Sequence, residues 1–346
     1  MNDLSSGADW GDVVIDGPYF DDLHRGQVFD SAPAVTLSVG QAAVHQSIVG
    51  DRMPLALDDH LAHSVTGASP LAHPALVWNM AIGQSTLATH NGKANLFYRG
   101  LVFRRAPHIG DTLYTTTEVV ALKQQRPKPE RSPTGVAVLR VTTVDQQQRP
   151  VLDFWRGAML PLRAQSTDPA SNDDIDVIGA GDAVSSAAPA AGVFQNWDLE
   201  HLSAHVLGEH FDADWAGNRM LIAGGDVVSN APELARLTLN IARVHHDETG
   251  AAPRRLVFGG HTIAVALGQA TRAIPNIVYV VAWHGCEHTG PVFEGDTLHS
   301  TLAVERADPG ASGGGLLHLR SIVSATTGPD GVPRDVLDWR FVVLVA

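Results

Sequence analysis

Gly110-Asp111-Thr112-Leu113, followed by Thr116 and Val119, returns as Gly295-Asp296-Thr297-Leu298, followed by Thr301 and Val304, a shift of 185 positions. The same shift relates Arg149-x-Val151-Leu152-Asp153 to Arg334-x-Val336-Leu337-Asp338, and Gly83-Gln84 to Gly268-Gln269. Three matches in one register across some 65 residues (about the span from Gly83 to Arg149) mark a duplication of a domain-sized unit, not a solenoid of short repeats. Outward from these anchors the chain divides into residues 1–163 and 196–346. Residues 164–195, rich in Ala, Ser, Asp and Gly with little apolar periodicity, are expected to link them.

Each copy reads in the same order. A helical stretch (38–49; 228–239) precedes a second apolar segment (71–87; 256–270) whose apolar positions are too continuous for one stripe, predicting a helix buried on most sides. β-branched strands follow at 100–104, 112–122, 135–144 and 151–162, with counterparts at 277–283, 297–304, 316–324 and 336–345. Alternation in runs such as Leu113-Tyr114-Thr115-Thr116-Thr117-Glu118-Val119 predicts antiparallel strands with one covered face. A buried helix wrapped by a curved antiparallel sheet is a hotdog unit, so the expected fold class is α+β, a double hotdog.

Composition narrows the function. The 346 residues carry 37 acidic and 24 basic side chains, a net charge of −13, which argues against non-specific nucleic-acid binding. The single cysteine, Cys286, cannot form an internal disulfide, the N-terminal residues lack the apolar core of a signal peptide, and no apolar stretch is long enough for a membrane span. A cytoplasmic protein is expected, with no membrane partner and with homodimerisation as the commonest prior.

The loop after the first helix in each copy is the richest in chemistry: Gly50-Asp51-Arg52-Met53-Pro54-Leu55-Ala56-Leu57-Asp58, and Asn240-Ile241-Ala242-Arg243-Val244-His245-His246-Asp247. Both resemble the Gly-Asp-x-Asn-Pro-x-His-x-Asp signature of the MaoC-type (hydratase-2) enoyl-CoA hydratases, in which Asp and His five residues apart hold the reacting water. The signature is split. Ala56 stands where the first copy should have His, and Asn240 stands where the second should have Asp. The runs GDRMPLALDD, LNIARVHHD, RRLVFGGH and HTGPVFEGDTL are similar to the mesaconyl-CoA hydratases, also called β-methylmalyl-CoA dehydratases.

The resemblance implies hydration or dehydration of an acyl thioester, with coenzyme A as part of the substrate and no separate cofactor. A single active site is expected in the second unit, the first being the half that has given up chemistry. His245 is the expected base, since an imidazole titrates near neutrality. Asn240 can position water but cannot take its proton. Phe258-Gly259-Gly260-His261 enters the second buried helix, so Gly260 is the expected N–H donor to the thioester oxygen, with Gly259 and His261 beside the substrate. His288 is expected to line the pocket. A dicarboxylic acyl group calls for a cation, and Arg243 or Arg52 is the candidate. Asp51 is placed with the substrate-binding residues, with a purely structural role as the alternative. Arg104 and Arg105 are candidates for the phosphates of coenzyme A, against a solvated pair at a strand end.

The spacing of His45, His60, His63 and His73 matches no zinc motif, and no metal is expected. The glycine-rich run 311–315 lacks the Lys-Ser/Thr of a phosphate loop and reads as a strand connector. Three alternatives stay open: an (R)-specific hydratase of simple enoyl-CoAs, a thioesterase, and a non-catalytic acyl-CoA-binding module.

Overall fold

The repeated Gly-Asp-Thr-Leu segments begin equivalent strands and are held by the same bonds in both copies. In the computed structural model, which describes residues 12–68, 70–126, 132–163, 171–179, 192–249, 254–310 and 314–346, Gly110 and Gly295 adopt positive φ values of 101° and 88°. Their N–H groups donate to Leu37 and Val228 carbonyls, and the Asp111 and Asp296 carboxylates each accept a backbone N–H three residues back, from His108 and Phe293, at 2.9 Å. A positive φ favours glycine, and a buried carboxylate holding the turn favours Asp, so the motif persists for backbone reasons.

The first copy contributes β3 (Ala94–Phe103), β4 (Thr112–Gln124), β5 (Thr134–Val144) and β6 (Pro150–Pro161). The second contributes β9 (Ile277–His288), β10 (Asp296–Pro309), β11 (Gly315–Thr327) and β12 (Arg334–Val345). Short strands β1 (Val28–Phe29), β2 (Val35–Thr36), β7 (Arg219–Leu221) and β8 (Asp226–Val227) add to the outer edges, β1 and β2 on β4, β7 and β8 on β10. The main order is β1-β4-β5-β6-β3-β9-β12-β11-β10-β7 in one twelve-stranded sheet, antiparallel throughout. The copies meet where β3 pairs with β9, placing Tyr98 opposite Cys286 and Leu101 opposite Trp283.

Four helices fall in the first copy: α1 (Val39–Val49), α2 (Pro54–Leu57), α3 (Asp59–Thr66) and α4 (Pro74–Gln84). α5 (Leu199–His205), α6 (Ala231–Leu237) and α7 (Gly259–Ala273) follow. Ser38 caps α1 in a reciprocal box with Gln41, and Gly50 ends it at φ 65°. α4 and α7 are the predicted central helices. Every residue of α4 is buried, and α7 is buried from Gly260 to Thr271, which explains their lack of a polar stripe. The two helices pack against each other, and Trp78 of α4 lies edge-on to Trp283 of β9, ring centroids 4.9 Å apart, with Trp339 of β12 at 6.1 Å. One continuous apolar core therefore spans both copies. Truncating Trp78 to Ala would cost about 3–5 kcal/mol.

The matched Gly-Gln pairs also acquire a reason. Gln84 and Gln269 each donate Nε2 to the carbonyl of the Leu in the repeated motif, Leu113 at 3.2 Å and Leu298 at 2.8 Å, tying helix end to sheet. The glycines before them permit contact between copies. A Cβ on Gly83 would stand 2.7 Å from the Thr238 carbonyl carbon and closer still to its oxygen, and one on Gly268 would stand 3.1 Å from the Val49 oxygen.

Several elements extend beyond their expected limits. β3 begins at Ala94, six residues before Gly100, and β9 continues past Trp283 to His288: Phe97 to Arg99 pair with Gly285 to Glu287 across the joint, while Ala94 pairs with Met159 of β6 and His288 with Leu337 of β12. Within the run read as a linker, residues 171–179 lie on the first copy's sheet: Gln124 N–H donates to the Ser171 carbonyl, and Ile175 packs with Phe97 and Val138. Residues 164–170 and 180–191 of that run lie outside the described residues, as do 311–313 of the glycine-rich run, whose Gly315 opens β11.

Candidate active site

After α6 the chain turns sharply. Leu239 takes a positive φ of 59°, where the first copy has Gly50, a conformation that costs a non-glycine residue about 1 kcal/mol or more. Asn240 follows, with its N–H bound to the Ala235 carbonyl and its Oδ1 accepting the Ala242 N–H at 3.0 Å. With the oxygen committed to that turn, the amide NH2 is what Asn240 offers to its surroundings. A single 3-10 turn, Arg243–His245, then presents the imidazole.

His245 Nδ1 lies 2.9 Å from the Leu256 carbonyl. A carbonyl only accepts, so Nδ1 carries the proton and Nε2 keeps the lone pair. Leu256 N–H binds the Val244 carbonyl in return, and the ring packs 5.7 Å from that of Phe258. Burial lowers the His245 pKa to about 4, with the His246 and Arg156 charges adding to the effect. His245 is therefore neutral at physiological pH, the state a general base needs.

His245 and Asn240 border a cavity of about 440 Å³. Its walls come from both copies: Thr86, Thr89, Lys93, Asn95, Tyr98 and Arg156 from the first, and Asn240, His245, Arg254, Phe258, Gly259 and His288 among those from the second. The expected catalytic residues thus lie in the second unit, while much of the enclosure comes from the first. The first turn of α7 meets the cavity at Gly259, where a Cβ would stand 2.6 Å from His288 Nε2. That His288 nitrogen is buried without a hydrogen-bond partner, and burial lowers its pKa to about 4.

Other expected site residues lie elsewhere. Gly260 is one position inside the helix, with the ring of Phe258 and the Asn79 side chain against its Cα, and does not itself line the cavity. His261 is fully buried behind the cavity, its ring nitrogens unpartnered and its pKa lowered by burial to about 4. The Arg243 side chain is about half exposed and turns outward to Asp247 at 3.5 Å. Arg52 is exposed, its N–H reaching Thr271 Oγ1 at 3.4 Å. None of His261, Arg243 and Arg52 lines the cavity.

Asp51 belongs to a separate buried cluster. Its carboxylate is 3.1 Å from His73 Nε2, and His73 Nδ1 accepts the Ala75 N–H, so the proton resides on Nε2 facing Asp51. The His45 ring lies 5.4 Å from that of His73. With Ala56 where His245 has its counterpart, this half holds a packed polar cluster in place of a base beside a cavity. Arg104 and Arg105 are at the opposite end of β3 from the cavity-lining residues, beside a groove shared with Arg140 and Arg149, and Arg105 pairs with Asp145.

Arg156, Tyr98, Arg254 and Lys93 of the cavity wall were not singled out in the sequence. For Arg156 a signal existed: in Phe154-Trp155-Arg156-Gly157-Ala158 the charge falls on the strand face shared with Phe154 and Ala158, the inward one. A charged residue at a core-facing position is rare and informative.

No family model matches the chain. Two curated relatives are each 27% identical over 348 aligned residues: the β-methylmalyl-CoA dehydratase of Chloroflexus aurantiacus, covering 95% of this chain and 97% of its own, and the mesaconyl-CoA hydratase of Cereibacter sphaeroides, covering 95% and 98%. Among solved structures, a conserved hypothetical protein of Mycobacterium tuberculosis with a double hotdog fold is 55% identical, with a TM-score of 0.89 over 95% of this chain and 98% of that one. With that identity over nearly the whole of both chains, and with the helix-in-sheet unit built twice, the chain belongs to the MaoC-like double-hotdog family.

Proposed function

We propose that the protein is a hydro-lyase acting on enoyl-CoA thioesters, with mesaconyl-CoA and β-methylmalyl-CoA as its substrate pair. The observation that carries this reading is a neutral His245, oriented by the Leu256 carbonyl with its Nε2 lone pair free, at the wall of a cavity beside Asn240. The names of the two curated relatives support the reaction and its acyl group.

In this mechanism His245 Nε2 takes a proton from water as its oxygen attacks the β-carbon. The C=C electrons move onto the thioester oxygen as an enolate. The backbone N–H of Gly259, in the first turn of α7, faces the developing charge. The enolate collapses, and the proton held by His245 passes to the α-carbon, restoring the thioester and the neutral base. Asn240 holds the water by its NH2 group. The growing negative charge raises the basicity of an imidazole that burial holds near 4, so proton uptake and charge development support each other. Coenzyme A enters only as the carrier of the acyl group. No helix among the described residues is long and apolar enough to cross a membrane, and the cytoplasm, where CoA esters are handled, is the proposed location.

The test is the ultraviolet absorbance of the conjugated thioester, followed with mesaconyl-CoA and crotonyl-CoA for wild type and His245→Ala. Loss of absorbance with mesaconyl-CoA that the substitution abolishes is the expected result. Turnover of crotonyl-CoA alone would discard the dicarboxylic substrate, and release of free thiol would replace hydration by thioester hydrolysis.

A further inference from the structure

Arg156 sits near the middle of β6, 4% exposed, with its guanidinium at the cavity wall. One terminal nitrogen donates to Thr89 Oγ1 at 2.6 Å and to the Ser85 carbonyl at 3.2 Å, and the Tyr98 hydroxyl accepts a further hydrogen bond. All three partners are neutral, because burial raises the Tyr98 pKa and keeps the phenol protonated. Nε is buried with no acceptor. Among the described residues no carboxylate lies within ion-pairing distance of it.

A guanidinium stays protonated even when burial lowers its pKa, so this is a buried cation without a counter-ion, a state costing several kcal/mol. Other partly buried arginines differ: Arg105 has Asp145, Arg255 has Glu294 and Arg334 has Asp296. The fold does not require the charge either. Arg156 lies opposite Tyr98 across the β6–β3 ladder, and 185 positions later Phe341 lies opposite Trp283 across β12–β9, both fully buried. The equivalent place in the second copy is satisfied by an apolar pair.

We propose that Arg156 is the receptor for a carboxylate on the acyl chain of the substrate, and so selects dicarboxylic thioesters over simple ones. This rests on the hydratase reading for the identity of the ligand. Arg156 is close enough to His245 for its charge to act on the imidazole, so the anion it receives belongs to the reacting acyl end. The phosphates of coenzyme A lie a pantetheine's length away from that end. The Nε–H has no acceptor among the described residues, which leaves the guanidinium a donor to offer a carboxylate.

The experiment compares wild type, Arg156→Met and Arg156→Lys. In hydration assays the ratio of kcat/KM for mesaconyl-CoA to that for crotonyl-CoA is expected to fall by roughly 100-fold in Arg156→Met, the loss of a charged hydrogen-bonded partner, with part restored in Arg156→Lys. Calorimetric binding of succinyl-CoA and butyryl-CoA, which cannot be hydrated, is expected to show a wild-type preference for succinyl-CoA that Arg156→Met abolishes. The melting temperature of ligand-free Arg156→Met is expected to stay level or rise, as it does when a buried charge gives way to an apolar side chain. Equal losses on both substrates, or a lowered melting temperature with both thioesters bound equally poorly, would overturn the proposal and make Arg156 structural. Should wild type hydrate neither thioester, the hydratase reading fails. The succinyl-CoA preference then still decides for or against the carboxylate receptor.

Discussion

Asp51 and Asn240 make the same turn. Each side-chain Oδ1 accepts the backbone N–H two residues on, from Met53 at 2.7 Å and from Ala242 at 3.0 Å. The turn uses one oxygen, so it is indifferent to whether the other atom is O or NH2. What differs is the neighbour: Asp51 faces the buried His73, whereas Asn240 borders the cavity with His245.

Asn240→Asp is therefore expected to fold with a melting temperature within about 3 °C of wild type, since its turn is preserved. A carboxylate beside His245 favours the imidazolium, so the acid limb of kcat/KM is expected to move to higher pH. Asn240→Ala loses the turn bond, about 1 kcal/mol, and the water contact, and hydration should fall at least about tenfold. A pH profile whose acid limb is unchanged in Asn240→Asp would place Asn240 outside the electrostatic reach of the base.

His245 must be unprotonated to act, and its pKa is held at about 4 by burial. The kcat/KM profile should be flat from pH 8 to about 5 and fall as pH drops through about 4, with His245→Ala reducing hydration by roughly 10²–10⁴. A limb near the ordinary histidine value of about 6.5 would mean that another group, or a solvated His245, limits the reaction.

His45 and His261 are buried and neutral in the fold, with pKa values lowered by burial, well below the ordinary value for His45 and to about 4 for His261. Above the unfolded pKa of about 6.5 both states are neutral, and these groups contribute nothing to the pH dependence. Below it only the unfolded chain takes up the protons, so stability is lost as pH falls from about 6.5 toward 4, at up to about 1.4 kcal/mol per pH unit for each histidine. Urea midpoints at pH 8, 6 and 5 measure this, and His261→Leu should make the decline shallower. Carboxylates such as Asp296, with a lowered pKa, titrate in a more acidic window and do not confound it.

Gly83 and Gly268 separate two opposing effects. Alanine in a helix gains about 1 kcal/mol over glycine, and overpacking costs about 1–3 kcal/mol or more. At Gly83 the added Cβ overlaps the Thr238 carbonyl, backbone that cannot swing away, so Gly83→Ala should lose stability and disturb the Asn240 loop and hydration with it. At Gly268 the Val49 oxygen stands 3.1 Å from the new atom, and the two effects should nearly cancel. Thermal melts of both variants, with activity measured alongside, provide the comparison.

The duplication was legible because its markers are local. The positive-φ glycines at 110 and 295, the Asp that accepts an N–H three residues back, and the Gln that ties helix to strand each impose a short-range backbone requirement on the sequence. The buried central helices were legible because a helix enclosed on all sides has no polar stripe. Asn240 and His245 could be found together because one loop carries both and their spacing is part of that loop's turn.

What tertiary structure alone decided is the enclosure around that loop. Arg156 and Tyr98 share a cavity with His245 only because β3 and β6 of one copy are carried across the β3–β9 joint to the loop of the other. The same joint pairs Phe97 with Glu287, and β6 and β12 carry the two strands on to Ala94 and His288, bringing cavity-lining residues into place. Arg243 and Arg52 looked suited to an anion by their proximity to the signature, yet a half-turn of backbone sends Arg243 to Asp247 and leaves Arg52 exposed. Loop chemistry is set by neighbours within a few residues. A cavity is set by which distant surfaces must be buried against each other, and that depends on the packing of the whole core.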